Sequence, residues 1–241
     1  MGNVKKKAVI VIVEGKTDKN ALGTIFQEFF SENNLQFIII GGDITTQDYP
    51  SIDNIISRIN ERVTATMDKY GYDANDVEKI LHIHIVDTDG AFVNNDKIVE
   101  NKELDSIVYY EDHIETSNYS GTIGRNKCKS EILQKLYSTS KVCKAITDGK
   151  GISYRVFYNS CNLEHVLHGK LQQFSVEEKE RMADDFAEKY EDDIDAFIQF
   201  ISDKSIAPSG SYRQTWGFIE KETNSLKRYT NMGIIFEEER K

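Results

Sequence analysis

The sequence predicts an α/β fold, a mostly parallel sheet flanked by helices in the Rossmann-like manner, with a mainly helical C-terminal extension. Three observations lead there. Residues 8–13 and 81–86 are short apolar runs rich in β-branched side chains, as strands buried on both faces require. Between them lie two stretches whose apolar residues recur at helical spacing. Strands that alternate with amphipathic helices pair in parallel, through right-handed crossovers.

In chain order, the first strand ends at Glu14-Gly15-Lys16-Thr17-Asp18. Gly15 permits a sharp turn, and Thr17 or Asp18 can cap a helix. Ala21, Leu22, Ile25, Phe26, Phe29 and Phe30 form the apolar stripe of that helix, which is expected to stop near Asn33 and Asn34. Residues 35–40 make a second strand, closed by Gly41-Gly42-Asp43. After Pro50 and Ser51 a second helix carries Ile52, Ile55, Ile56, Ile59, Val63 and Met67 on one stripe and stops at Gly71. The third strand then breaks into Asp87-Thr88-Asp89-Gly90.

Residues 91–125 read as an insertion, with a short strand at 107–110 and a polar, glycine-rich stretch at 117–124. A basic helix is expected over about 127–144, with Ile132, Leu133, Leu136 and Tyr137 inward. A strand at 152–158 and a turn at 159–162 lead into a helix that starts at Leu163. Ser175 and Glu178 have the spacing of a capping box, opening an acidic helix with Met182, Phe186, Tyr190, Ile194, Phe197 and Ile198 as its stripe. Residues 204–241 form a mixed tail around Trp216, Phe218 and Ile219. The expected division is 1–172 for the α/β domain and 173–241 for the helical extension.

Composition narrows the function classes. The 241 residues contain no apolar run of membrane-spanning length, and the apolar residues after the basic start are too few for a signal-peptide core. Cys128, Cys143 and Cys161 form no CxxC pair, which argues for a reducing, cytoplasmic setting. The net charge is −10, yet it is uneven: residues 116–150 carry +5 and residues 175–203 carry −8. A solvated acidic helix can dominate the total while a separate basic surface meets a polyanion.

The chemistry concentrates in the carboxylates. Side chains at i and i+2 of a strand share a face, so Asp87 and Asp89 can reach one metal ion at the strand's carboxyl end. Glu14 ends a strand of the same predicted sheet, at the edge where open α/β sheets keep their chemistry. A few hard oxygen ligands, with water and phosphate filling the other positions, make a Mg²⁺ site, and Mn²⁺ takes similar ligands. Such a site can activate water and neutralise charge on a phosphodiester. Arg125, Lys127 and Lys129 are candidate contacts to a nucleic-acid backbone, DNA or RNA, and His168 a candidate phosphate contact. Cys161, His165 and His168 lie at i, i+4 and i+7, a spacing that invites zinc but lacks an evident fourth ligand. His82 and His84 alternate with Ile83 and Ile85 and read as structural.

Glu14-Gly-Lys-Thr-Asp18 after a first strand and Val86-Asp-Thr-Asp89 after a third resemble the Toprim domain, closest to the OLD-type and RloB-like nucleases of phage defence. Residues 158–168 are similar to the block that follows the next strand in RloB-like members. The resemblance covers roughly residues 8–170 and implies metal-dependent phosphodiester cleavage of DNA or RNA, tRNA or duplex DNA included. It gives Glu14 as metal ligand or general acid/base and Asp87 and Asp89 as metal ligands. It adds Asp18 to the metal site, where the residues alone offer a helix cap, and Glu164 to a second metal, where they again offer a cap. No OLD-type ATPase is attached, so an ATPase or sensor partner would be a separate chain.

Two other readings compete. Val86-Asp-Thr-Asp-Gly90 also looks like the nucleophile motif of haloacid-dehalogenase-type phosphatases, with Asp87 attacking phosphate, although that family places it on the first strand. A Toprim-like domain without catalysis, serving as a sensor or partner-binding module, is the other.

Overall fold

The computed structural model describes residues 7–32, 35–46 and 50–239. The expected helix stop at Asn33 and Asn34 lies outside the described residues. β1 (Ala8–Val13) is buried along its whole length, and its side chains divide between two cores by strict alternation. Val9, Val11 and Val13 face one core; Ala8, Ile10 and Ile12 face the other. Period-two geometry makes one apolar run serve both faces of a sheet.

α1 (Lys16–Glu32) covers the first face and returns the chain to β2 (Gln36–Gly41), which pairs in parallel with β1. α2 (Ile55–Tyr70) covers the opposite face and leads to β3 (Ile80–Asp87), parallel on the other flank of β1. Gly71 closes α2 in the left-handed conformation, as expected. Ile52 departs from its expected stripe: α2 starts only at Ile55, and Ile52 lies in the preceding turn, 45% exposed.

The insertion folds as a small sheet of its own, with β4 (Ile98–Glu100), β5 (Val108–Tyr109) and β6 (Ile114–Thr116). Only β5, at one edge of this sheet, was expected. The basic helix α3 (Tyr119–Ser138) begins and ends earlier than its spacing predicts. The Asn118 side chain accepts the Gly121 N–H, so the polar, glycine-rich stretch becomes the first turns of the helix. Residues 141–142 form β7 (Lys141–Val142), antiparallel to β8 (Ile152–Asn159), so the sheet is mixed at one edge. Its order is β2-β1-β3-β8-β7.

α4 (Leu163–His168) follows, and then α5 (Val176–Tyr190), opened by the expected Ser175/Glu178 capping box. The expected single acidic helix is broken. Asp193 accepts the Ala196 N–H and starts a separate helix, α6 (Ile194–Ile201). The mixed tail supplies α7 (Tyr212–Ile219) and α8 (Gly233–Glu239). α5, α6 and α8 enter the core under α1, whereas Trp216 and Ile219 of α7 enter the core under α2 and α3. No described helix is long and apolar enough to cross a membrane.

His82 and His84 face the α2/α3 side, opposite Ile83 and Ile85, as their alternation predicts. Burial pulls both down to about 3, so they are neutral; His84 Nδ1 lies 3.0 Å from the Tyr154 hydroxyl and His82 stacks on the same ring.

α8 is part of the core. Phe236 is fully buried, with ring centroids 4.8 Å from Phe29, 5.3 Å from Phe26 and 5.5 Å from Phe197. Phe236→Ala is expected to cost about 3–5 kcal/mol of stability in urea unfolding; a loss below about 1 kcal/mol would show that α8 is only an appendage.

Candidate functional site

The chain leaves β1 toward β2 and returns to the other flank of β1 as β3, with α1 and α2 on opposite faces. This reversal makes the carboxyl ends of β1 and β3 a topological switch point, the place where ligands enter open α/β sheets. Glu14 follows β1, and Asp87 is the last residue of β3. The register pairs Ile12 with His84, which sets Glu14 level with the end of β3. The two carboxylate segments therefore share one edge, as expected.

The turn after β3 is held from several sides. The Thr88 N–H donates to the Asn159 carbonyl and the Asp89 N–H to the Cys161 carbonyl, each at 2.9 Å. Asp89 has φ +46° and Gly90 φ +65°. An aspartate tolerates that left-handed conformation, but Gly90 has a second constraint: a Cβ there would lie 2.6 Å from Leu226. Asn159, paired with Asp87 across the β3/β8 ladder, donates its side-chain amide to Asp87 Oδ1 at 3.1 Å. This contact was not among the expected site residues, although Asn159 ends a strand at the same edge.

Lys129 departs from its expected place on a basic surface. It is 2% exposed, and its ammonium bonds Asp89 Oδ2 and lies 3.7 Å from Glu14 Oε1. On α3 it is one turn from Arg125, which donates to the Asp89 carbonyl at 3.0 Å and the Tyr109 hydroxyl at 2.8 Å. Lys127 is exposed on the same helix. On the other side of Glu14, the Thr45 hydroxyl lies 3.0 Å from Glu14 Oε1 and 2.9 Å from Asp43 Oδ1. Asp43, at the carboxyl end of the strand neighbouring β1, also escaped the sequence reading of the site.

A second charged group adjoins the first. Asp18 Oδ2 accepts the Gly15 N–H at 2.9 Å, so the helix-cap role is present. The negative charge of Glu164, in the first turn of α4, also acts on Asp18, and Glu164 pairs with Lys179 of α5 at 2.8 Å. Lys179 lies in the most acidic part of the chain, where nothing in the sequence singles it out. His168 is half-buried with its ring against Phe186, and burial lowers its basicity. Cys161 sits in the turn before α4 with φ +58°, so Cys161, His165 and His168 do not share one helix.

No family model, curated protein or solved structure matches the chain. What the site can do therefore follows from its own charge and geometry.

Negative charge is in excess. Burial, reinforced by Asp89, Asp43 and Asp18 and opposed by Lys129, pushes Glu14 up to about 8. Burial and the adjacent Glu14 push Asp87 well above the usual carboxylate range. Burial also raises Asp18 to about 6 against the pull of the Gly15 N–H. Burial works against the Lys129 charge too, but Asp89 and Glu14 outweigh it and hold the ammonium above its ordinary value. Among the described residues no three His, Cys, Asp or Glu side chains stand together as a preformed metal-binding group. Lys129 is instead the cation at the centre of the edge.

These shifts fix a pH dependence. A carboxyl raised from 4.5 to about 8 by folding binds more protons folded than unfolded across that window, so stability without added metal falls as pH rises through it. Glu14→Gln is expected to flatten that slope in urea unfolding from pH 5 to 8. Lys129→Met removes the ammonium that neutralises Asp89 and is expected to cost about 3–5 kcal/mol at pH 8. The cost is smaller at pH 6, where Glu14 and Asp87 escape repulsion by taking up protons. An equal or larger loss at pH 6 would contradict this account.

Proposed function

We propose that this chain is a divalent-metal-dependent nuclease of Toprim type, closest to the OLD-type and RloB-like enzymes of phage defence, hydrolysing phosphodiester bonds of DNA or RNA. The observation that supports the reading is that Glu14, Asp87 and Asp89 lie at one sheet edge, at the β1/β3 switch point, where buried carboxylates exceed the positive charge beside them.

The donor set fits Mg²⁺ or Mn²⁺. All the candidate ligands are hard carboxylate oxygens, and the upward shift of Glu14 and Asp87, caused by burial and by neighbouring carboxylates, is consistent with an edge that takes up positive charge. Glu14, Asp87 and Asp89 would hold the ion, with Asp18 and Glu164 beside it. When bound, the metal would activate water and neutralise charge on the scissile phosphate. Asn159 orients the Asp87 carboxylate through its amide, as partners of metal ligands do. Lys129, bonded to Asp89 at this edge, would supply positive charge toward the phosphate, and Arg125 fixes the backbone of the Asp89 turn. Lys127 is the exposed backbone contact. A separate ATPase or sensor chain as trigger belongs to the same proposal.

The Lys129 contact also favours a second reading, a noncatalytic sensor or partner-binding module, because a lysine that already neutralises the carboxylates reduces the need for metal. Mn²⁺ titration by calorimetry separates the two: the nuclease binds the ion and releases protons, and the module does neither. The phosphatase reading places a nucleophile on the first strand, whereas Asp87 ends the third.

In Mg²⁺ or Mn²⁺ the purified protein is expected to cleave at least one of plasmid, single-stranded DNA and tRNA. Asp87→Ala and Glu14→Ala are expected to slow cleavage by about 100-fold or more, and Asn159→Ala by about 10- to 100-fold. Wild type and variants behaving alike on every substrate would overturn the nuclease reading.

A further inference from the structure

Beside the carboxylate edge lies a cavity of about 510 Å³ that the proposed chemistry does not use. One wall is the insertion, from Ser106 to Tyr109; the other is the segment from Leu171 to Phe174 that joins α4 to α5, with Asn162 and Lys179 between them. Gln173 ties the walls together, donating to the Ser106 hydroxyl at 2.7 Å and the Ile107 carbonyl at 3.1 Å.

Two lining residues reach directly into the charged edge. The Tyr109 hydroxyl accepts from Arg125, whose guanidinium also holds the Asp89 carbonyl, and Lys179 pairs with Glu164. Whatever fills the cavity is therefore separated by one side chain from Glu164, and by two from the Asp89 turn. Its volume is in the range of small-ligand pockets. Tyr109 and Phe174 offer aromatic rings, Ile107 and Leu171 offer apolar sides, Gln172 offers an amide that both donates and accepts, and Lys179 offers positive charge. An aromatic ring for the flat face, an amide for the edge and a cation for the phosphate are the means by which proteins hold an unpaired nucleotide.

Resting on the nuclease reading, we propose that this cavity receives one unpaired nucleotide of the substrate strand next to the scissile phosphate, so that the enzyme acts on single-stranded or frayed nucleic acid in preference to a fully paired duplex.

The test measures binding without metal. In EDTA, wild type is expected to bind a hairpin oligonucleotide with an unpaired end about 5- to 100-fold more tightly than the same hairpin with a paired end, the range of one base stacked on an aromatic ring. Phe174→Ala, which removes a ring, and Ser106→Trp, which fills the cavity from an exposed position, are expected to abolish that preference while keeping the melting temperature. Asp87→Ala is expected to keep it. AMP and CMP are expected to compete for the unpaired end, and inorganic phosphate is not.

Equal affinity for both hairpins in wild type, with cleavage detected, overturns the pocket and leaves the nuclease reading standing. A preference lost in both variants, with cleavage of no substrate, keeps the pocket and sinks the nuclease. Tight binding of AMP or CMP with no hairpin preference assigns the cavity to a free nucleotide and overturns its role toward a strand. Competition by inorganic phosphate as strong as by AMP reduces it to a phosphate contact and overturns it as well.

Discussion

Burying several carboxylates together at the end of an apolar sheet is the constraint around which this molecule is arranged. Neither Glu14 nor Asp87 can keep full charge there without a partner, because burial and mutual repulsion both favour the protonated form. Lys129 is the partner the fold provides, and it costs burial of an ammonium as well. The interaction also determines where α3 must lie. The helix has to pass the sheet edge with Lys129 inward, and Arg125, one turn earlier, then braces the Asp89 turn and Tyr109 of the insertion.

The topology explains why the charge collects at one place. β1 sends the chain to one flank and receives it back on the other, so the loops after β1 and β3 part to opposite faces and the carboxylates they carry collect at the switch point between them. Residues beyond 172 then close in around it. α5 packs beside α1 and delivers Lys179 to Glu164, while α7 and α8 fill the two cores with Trp216 and Phe236. An acidic helix that looks like a solvated surface from its composition thus contributes one of the cations nearest the site.

Where the sequence reading and the structure part, the reasons are local. Asn118 starts α3 earlier than the apolar stripe does, because a side-chain cap satisfies N–H groups that periodicity does not count. Asp193 starts α6 in the same way and breaks a helix that reads as continuous. Lys129 and Lys127 are indistinguishable as letters two positions apart, yet they lie about 200° apart around a helix. One is buried among carboxylates and the other exposed.

The sequence by itself determined the alternation of strands and helices, the two-faced burial of β1, and the placing of Glu14, Asp87 and Asp89 at strand ends. These depend on local periodicity and on short-range geometry, which composition and spacing record directly. Only the tertiary structure decided that Lys129 neutralises that edge, that Asn159 orients Asp87, and that Lys179 meets Glu164. Each of these pairs joins residues far apart in the chain. Such contacts are set by how whole helices and strands pack, and no local pattern encodes them.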